Sequence, residues 1–239
     1  YSTTKLEETR NDNYNVTTQL LASYMKTFGA HDLNVMAGYE NYYEFYEYLG
    51  ASRDEYILSS YPYLNNGPTT LRGNSGYANE FAYRSFFGRV MYNYSGRYLF
   101  QANIRRDGSS RFAKEHRWGN FPSFSGGWVI SEENFMKSSG ADWLSYLKLR
   151  ASWGSLGNER ISTGFPYMAT IAFGNALFYE NGIVTSDGTA AQKEYAVENV
   201  TWETTESTDI GLDAVFLKNR LRVTADYYWK KTKDMLLPV

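Results

Sequence analysis

The chain carries two histidines, His31 and His116, and no cysteine. That inventory excludes disulfide frameworks, thiolate metal sites and cysteine nucleophiles. His31 sits in a short Gly-Ala-His-Asp stretch and His116 in a charged segment. No Asp, Glu or second His stands at ligand spacing, so both read as surface imidazoles and no metal site is expected. No Gly-rich phosphate loop follows a strand pattern, and no other cofactor motif is present. Glu132 and Glu133 are adjacent acids, but they follow Ser131, an N-cap type. They read as first-turn carboxylates of a short helix, not as a general acid and base. The chemistry-bearing residues point away from an enzyme.

Aromatic side chains are the unusual resource: they make up 18% of the chain, with 22 Tyr. Tyr and Trp favour sites where one end is apolar and the other wet. Tyr61, Tyr63, Trp118, Phe178 and Tyr179 lie in segments read as loops and could stack on sugar rings of a substrate. Packing of those loops on a partner or on one another accounts for them equally well. The formal net charge is -2, with Lys and Arg spread along the chain. That distribution gives no footprint for nucleic acid.

The elements that must position these rings are strands. Val16, Thr18, Leu20, Ala22 and Tyr24 share one face, and Asn15, Thr17, Gln19 and Ser23 the other, with Leu21 as an exception. After Gly29-Ala30-His31-Asp32, Leu33, Val35, Ala37 and Tyr39 alternate with Asn34, Met36, Gly38 and Glu40. This period of two marks a hairpin. A second hairpin sets Phe86, Val90, Tyr92 and Tyr94 against Ser85, Arg89 and Asn93, turns at Ser95-Gly96-Arg97, and returns through Tyr98, Phe100, Ala102 and Ile104. A third pairs Phe124, Trp128 and Ile130 with Leu147, Leu149, Ala151 and Trp153, whose other face is Lys148, Arg150 and Ser152. A fourth runs from Thr208 to Phe216, turns at Lys218-Asn219 and returns from Leu221 to Trp229.

No run approaches the roughly 18 apolar residues a membrane helix needs, and mean hydropathy is -0.52. A membrane β-barrel shows the same averages, because lipid-facing and lumen-facing residues alternate. The strand patterns cover about 9–13 residues, beyond the usual globular length and near that of a tilted membrane strand. Connections near 29–32, 95–97 and 217–220 are short, and those near 47–84, 107–119 and 155–206 are long. The 131–146 connection is of medium length, with Ser131 expected to cap its helix. Short periplasmic turns and long extracellular loops are the asymmetry of outer-membrane barrels. Tyr94 and Tyr98 flank a short turn where a periplasmic aromatic girdle belongs. A soluble carbohydrate-binding β-sandwich and a small complete eight-stranded outer-membrane barrel remain as alternatives.

Three segments carry a family resemblance. The first is Arg105-Arg106-Asp107-Gly108-Ser109-Ser110-Arg111-Phe112, followed by Arg117-Trp118-Gly119, Phe121-Pro122-Ser123, Gly127-Trp128 and Ile130 through Met136. The second is Leu147-Lys148-Leu149-Arg150-Ala151-Ser152-Trp153-Gly154, with Gly157-Asn158 behind it. The third joins Trp202-Glu203-Thr204-Thr205, Asp209-Ile210-Gly211-Leu212-Asp213, Asn219-Arg220-Leu221, Asp226-Tyr227-Tyr228 and Thr232-Lys233-Asp234. In this order they resemble the barrel of the SusC/RagA family of TonB-dependent outer-membrane transporters of Bacteroidetes, closely from about residue 85 onward and more loosely over 13–46.

The resemblance implies an all-β fold: an antiparallel transmembrane β-barrel segment, about eight strands of a larger barrel of about 22 strands. Residues 1–239 would form part of the barrel domain, with the plug and the closing strands elsewhere. Tyr1 is not an initiator Met and Met235-Leu236-Leu237-Pro238-Val239 has no closing element, so both ends read as cuts through a longer chain. The family implies import of oligosaccharides, or of peptides in some members, with a SusD-like surface lipoprotein and the TonB system as partners and outer-membrane lipid as surroundings. Arg89, Gln101, Asn103, Arg150 and Asp213 would line the lumen. The Asp107–Phe112 motif is expected to be structural, with Asp107-Gly108 shaping a turn and its arginines pairing with carboxylates of neighbouring strands.

Overall fold

The structure, a computed structural model, describes residues 5–57, 60, 61, 63–140, 143–160, 165–180, 183–194 and 196–236. The chain-end readings at Tyr1 and at Leu237–Val239 lie outside them. Ten strands are present: β1 (Leu6–Phe28), β2 (His31–Arg53), β3 (Arg72–Tyr94), β4 (Tyr98–Ser109), β5 (Trp118–Val129), β6 (Leu144–Asn158), β7 (Thr170–Glu180), β8 (Ile183–Glu194), β9 (Glu203–Phe216) and β10 (Leu221–Lys233). Eight form one sheet in the order β1-β2-β3-β4-β5-β6-β9-β10, and β7-β8 form a separate hairpin. The chain divides into two compact units, Tyr1–Thr18 with Asn41–Tyr83 and Gln19–Glu40 with Arg84–Val239.

The eight patterned strands all exist, but three are longer than their alternation suggests. β1, β2 and β3 run 23 residues each. Where both faces meet water, hydrophobic alternation is not required, so the period fades although the ladder continues. The expected long loop at 47–84 therefore shrinks to 54–71, with 3₁₀ turns at Leu64–Asn66 and Thr69–Leu71. The loop expected over 107–119 shrinks to 110–117, because β4 continues to Ser109 and β5 starts at Trp118. Asp107-Gly108 is thus strand, not turn. The expected loop at 155–206 holds the β7–β8 hairpin, which the sequence pattern did not reveal.

Register fixes the faces of the second unit. Across β4–β5, Tyr98 opposes Trp128, Ala102 opposes Phe124 and Asn103 opposes Ser123. Across β5–β6–β9–β10, Phe124, Trp153 and Thr208 lie in one row, as do Leu149, Leu212 and Ala225. Because successive side chains point to opposite faces, one face collects Phe100, Ile104, Phe124, Leu149, Ile210 and Val223. The other collects Gln101, Asn103, Lys148, Arg150, Asp209, Asp213 and Asp226. The apolar face is open: Ile104 is 56% and Ile210 53% exposed. A soluble sandwich would bury that face on a second sheet.

The turns at one end are tight. Ser95 and Gly96 both have positive φ, 54° and 68°, the left-handed pair that matches the twist of a two-residue hairpin. The Asn93 side-chain oxygen accepts from the Gly96 amide at 2.9 Å. Between β1 and β2 only Gly29 and Ala30 turn, so His31 begins a strand.

Between β5 and β6 the expected capping by Ser131 is not found. A 3₁₀ turn covers Ile130–Glu132, and the one-turn helix α1 spans Asn134–Lys137 without a side-chain cap. The Ser131 hydroxyl is buried and finds no partner among the described residues. Glu132 pairs with Lys137 at 2.7 Å. Glu133 does not serve the helix dipole. Its carboxylate accepts from the Tyr98 hydroxyl at 2.6 Å and the Trp128 indole at 3.0 Å. Two directed donors outweigh the weak dipole of a four-residue helix.

Candidate functional site

The polar face of the second unit is organised by two arginines. Arg150 Nε donates to Asp213 Oδ2 at 2.9 Å and its Nη2 to Asp226 Oδ1 at 2.6 Å, while Asp209 stands 4.0 Å from Nη1. Thr224 adds a bond to the other oxygen of Asp213 at 3.2 Å. Gly211, opposite Arg150 in the register, makes room for this network. A Cβ there would lie 2.4 Å from Asp226 Oδ1 and 2.7 Å from Arg150 Cζ.

Arg105 organises the second network. It holds Asp107 through Nε at 2.7 Å, and through Nη2 reaches Ser85 at 2.8 Å and Glu40 at 3.3 Å. Glu40 also accepts from Gln19. Ser85 is fully buried and Glu40 nearly so. The two carboxylates are largely enclosed, and the partly exposed Arg105 supplies their counter-charge. Just ahead of the Asp107–Phe112 motif, Arg105 thus pairs along its own strand with Asp107 and reaches across β3, bonding Ser85 there, to Glu40 on β2.

Beside the Arg150 network an open hollow of about 580 Å³ is lined by Met25, Asn34, Met91, Leu99, Ser125 and Arg150, among others. Its floor is small because Gly127 and Ser152, on the polar face, stand where larger residues would fill it.

Away from the tight turns, Phe112 is fully buried against Trp202, ring centroids 5.3 Å apart, and Phe121 meets Trp202 edge-on at 5.2 Å. The Trp202 indole donates to the Arg117 carbonyl at 2.9 Å. Gly157 lets the Phe121 ring approach: a Cβ there would sit 2.1 Å from the ring. This cluster ties segment 110–117 to the start of β9. Beside it, burial pushes the Glu159 carboxyl above its usual range, partly offset by Ser109 and Arg111. The motif Asp107–Phe112 was legible as special, but its partner Trp202 lies 90 residues away from Phe112 in sequence, at the far side of a segment without periodicity.

At the tight-turn end, aromatic rings form a row on the apolar face. Phe28 stacks on His31 at 5.0 Å, His31 meets Tyr94 at 4.8 Å, and Tyr94 meets Tyr98 at 6.2 Å. Tyr98 and Trp128 share Glu133 as acceptor, and Trp143 stacks on Phe216 at 5.9 Å. His31 Nδ1 lies 2.6 Å from the Tyr92 hydroxyl, so it belongs to this row and is not a bare turn residue.

The residues expected to line a lumen fall as follows. Gln101 and Asn103 are 3.4 Å apart on the polar face, and Asn103 also bonds Ser123 at 3.1 Å. Arg150 and Asp213 are joined directly. Arg89 stands apart from both networks, its Nε buried without a partner among the described residues. Of the aromatic candidates, Tyr61 and Tyr63 are exposed in the β2–β3 connection. Phe178 and Tyr179 are exposed but lie on β7, on opposite faces of its hairpin. Trp118 opens β5 opposite Gly108, on the apolar face. Its ring meets Phe86 at 6.1 Å and lies under Arg106 at 5.3 Å.

An antiparallel sheet with an exposed apolar face, an ion-paired polar face, tight turns at one end and an aromatic row beside them is the wall of an outer-membrane β-barrel. Comparison with known proteins refines this class. The model of the family "TonB dependent receptor-like, beta-barrel" matches residues 1–239, and the chain belongs to that family. It is 37% identical to TonB-dependent receptor SusC of Bacteroides thetaiotaomicron over 93% of its own length and 22% of the relative's. It is also 37% identical to TonB-dependent receptor P3 of Formosa agariphila, over 90% of the chain and 21% of the relative. Among solved structures, the RagAB peptide transporter superposes with a TM-score of 0.85 and 27% identity, over 98% of this chain and 25% of that one.

The SusC/RagA resemblance and the outer-membrane location therefore hold, and the organisms of these relatives support a Bacteroidetes-type source. The chain spans about a fifth of the curated relatives it matches. Both alternatives fall. A sandwich would not leave the apolar face open, and in a small complete barrel β1 and β10, which end the strand order, would be neighbours.

Proposed function

We propose that the chain is a stretch of barrel wall in a SusC-like, TonB-driven importer of oligosaccharides or other large nutrients. A SusD-like surface lipoprotein is its partner, and a plug comes from elsewhere in the parent protein. The observation that carries this reading is the division of the sheet into an open apolar face and a polar face whose ionised groups are tied into networks on Arg150 and Arg105. Arg150 is shared by three aspartates and Arg105 by Glu40 and Asp107. A solute moving along such a wall meets hydrogen-bonding groups fixed in ion-paired networks. On this reading Gln101, Asn103, Arg150 and Asp213 face the path, and the wall performs no covalent chemistry. Trp118, on the apolar face, is assigned to lipid contact and not to substrate.

The test is uptake by cells producing the intact transporter, with and without a functional TonB system. Uptake of a large solute that stops when TonB is removed supports the proposal. Uptake indifferent to TonB, or recovery of the protein from the soluble fraction, would sink it.

A further inference from the structure

Arg105 and Arg106 are neighbours in sequence, and β4 sends them to opposite faces. Arg105 is shared by Glu40 and Asp107 on the polar face. Arg106 lies on the apolar face with Phe100 and Ile104, opposite Asn120 in the register with β5. It is exposed, and among the described residues it pairs with no carboxylate. Its guanidinium lies over the Trp118 ring at 5.3 Å, and Trp118 meets Phe86 of β3 at 6.1 Å. Arg84, two residues before Phe86, is exposed on the same face of β3. Gly108 keeps the Trp118 ring close to the sheet: a Cβ there would sit 2.8 Å from it.

The level of this cluster is set by strand length. Arg106 is eight residues from Tyr98, the turn-end residue of β4. At a rise of about 3.3 Å per residue and a tilt of about 40°, that is about 20 Å above the tight turns. Arg84 is ten residues from Tyr94, the turn-end residue of β3, which makes about 25 Å. The apolar band of a barrel is about 25 Å tall. Both arginines therefore stand at its far rim, on the side of the long connections and the outer leaflet. Below Arg106 the same face is apolar and open, with Ile104 56%, Phe100 48% and Phe124 47% exposed.

A guanidinium above an apolar track fits one kind of molecule, an anionic head group on acyl chains. The fork of an arginine matches the oxygens of a phosphate. The indole covers one face of the guanidinium and leaves its N–H edge outward. We propose that Arg106, with Arg84 beside it, holds the phosphate of an outer-leaflet lipid whose acyl chains run down over Ile104 and Phe124. The inference rests on the reading of this face as lipid-facing and adds the head group that its rim holds.

The experiment uses the intact transporter in detergent, with bound lipid counted by native mass spectrometry. Lipid A, the same lipid A after phosphatase treatment, and phosphatidylglycerol are titrated. Lipid A should bind, and loss of its phosphates should weaken it about tenfold or more, since charge-assisted contacts disappear. Arg106→Gln combined with Arg84→Gln should weaken lipid A binding as much and leave that of the dephosphorylated form unchanged. Lys230→Gln removes a cation that lies over Tyr228 on the opposite face and should change nothing. Heat-modifiable migration on gels reports that each variant folds.

Absent binding of lipid A, or equal binding of its two forms, overturns the proposal. So does lipid A binding that survives the double variant, because Arg106 then only covers the Trp118 ring. Phosphatidylglycerol bound as tightly as lipid A overturns it too, since the rim then selects no outer-leaflet lipid. TonB-dependent uptake reports the importer reading, and the cost of an arginine at Ile210 in lipid vesicles reports the lipid face, so each can fail alone.

Discussion

Ile210 offers the sharpest test of which face meets lipid. It lies on the apolar face of β9, opposite Ala151 on β6 and Tyr227 on β10. It is 53% exposed. It stands six residues from Phe216, the turn-end residue of its strand. At a rise of about 3.3 Å per residue that is about 20 Å along the strand, and a tilt of about 40° reduces it to about 15 Å of height. The apolar band of such a barrel is about 25 Å tall. With the band beginning near the aromatic row at the turns, Ile210 falls close to the bilayer midplane. Leu221, on the same face, pairs with Phe216 at the turn itself.

Arginine costs about 2–4 kcal/mol at the midplane of a barrel's lipid face and about 0–1 near the interface. Ile210→Arg should therefore destabilise the intact protein by about 2–4 kcal/mol, and Leu221→Arg by less than about 1. The assay is reversible guanidinium unfolding from phospholipid vesicles, followed by tryptophan emission and by heat-modifiable migration. Equal costs at the two positions, or no cost at Ile210, would refute the assignment of this face to lipid.

Three further outcomes follow from the packing and the ionisable groups. Phe112→Ala removes a fully buried ring from Trp202, a change worth about 3–5 kcal/mol. Because it pins one segment, its loss should appear as faster hydrogen exchange at the Ser109 amide, bonded to the Arg117 carbonyl at 3.2 Å, and unchanged exchange there would contradict the latch. Gly211→Ala forces a methyl into the Arg150–Asp226 contact and should cost about 1–3 kcal/mol in the same unfolding assay; a neutral result would mean that the network yields easily.

Glu133 is held below the usual carboxylate range by the Tyr98 hydroxyl first, then the Trp128 indole, with help from Arg97. A lowered folded-state value stabilises above the unfolded value and is lost as pH falls through the folded one. Glu133→Gln should thus lower the Tm at neutral pH, and the gap from wild type should close in acid; a gap independent of pH would argue against the linkage.

Much of the wall was legible in the sequence because burial in lipid imposes a period of two. Phe100, Phe124, Leu149 and Ile210 must face one way, and Gln101, Ser125, Arg150 and Asp209 the other, so eight strands and their four hairpin pairings could be read directly. The reading failed where that constraint lapses. β1–β3 continue through stretches such as Asn41–Leu49, where the aromatics fall on both faces and no simple period survives. The β7–β8 hairpin was hidden for the same reason. Glu133 was misassigned because its donors, Tyr98 and Trp128, are brought to it by the β4–β5 register and not by local sequence.

By itself, then, the sequence determined the all-β class, the direction of each patterned strand's two faces and, through three ordered motifs, the transporter family. Tertiary structure alone decided which charges compensate one another, that Trp118 faces outward beneath Arg106, and that Phe112 finds Trp202. The physical reason is that facing is a property of a single strand, set by alternation along the chain. Partnership depends on the register between strands far apart in sequence, and one residue of slip would exchange every neighbour.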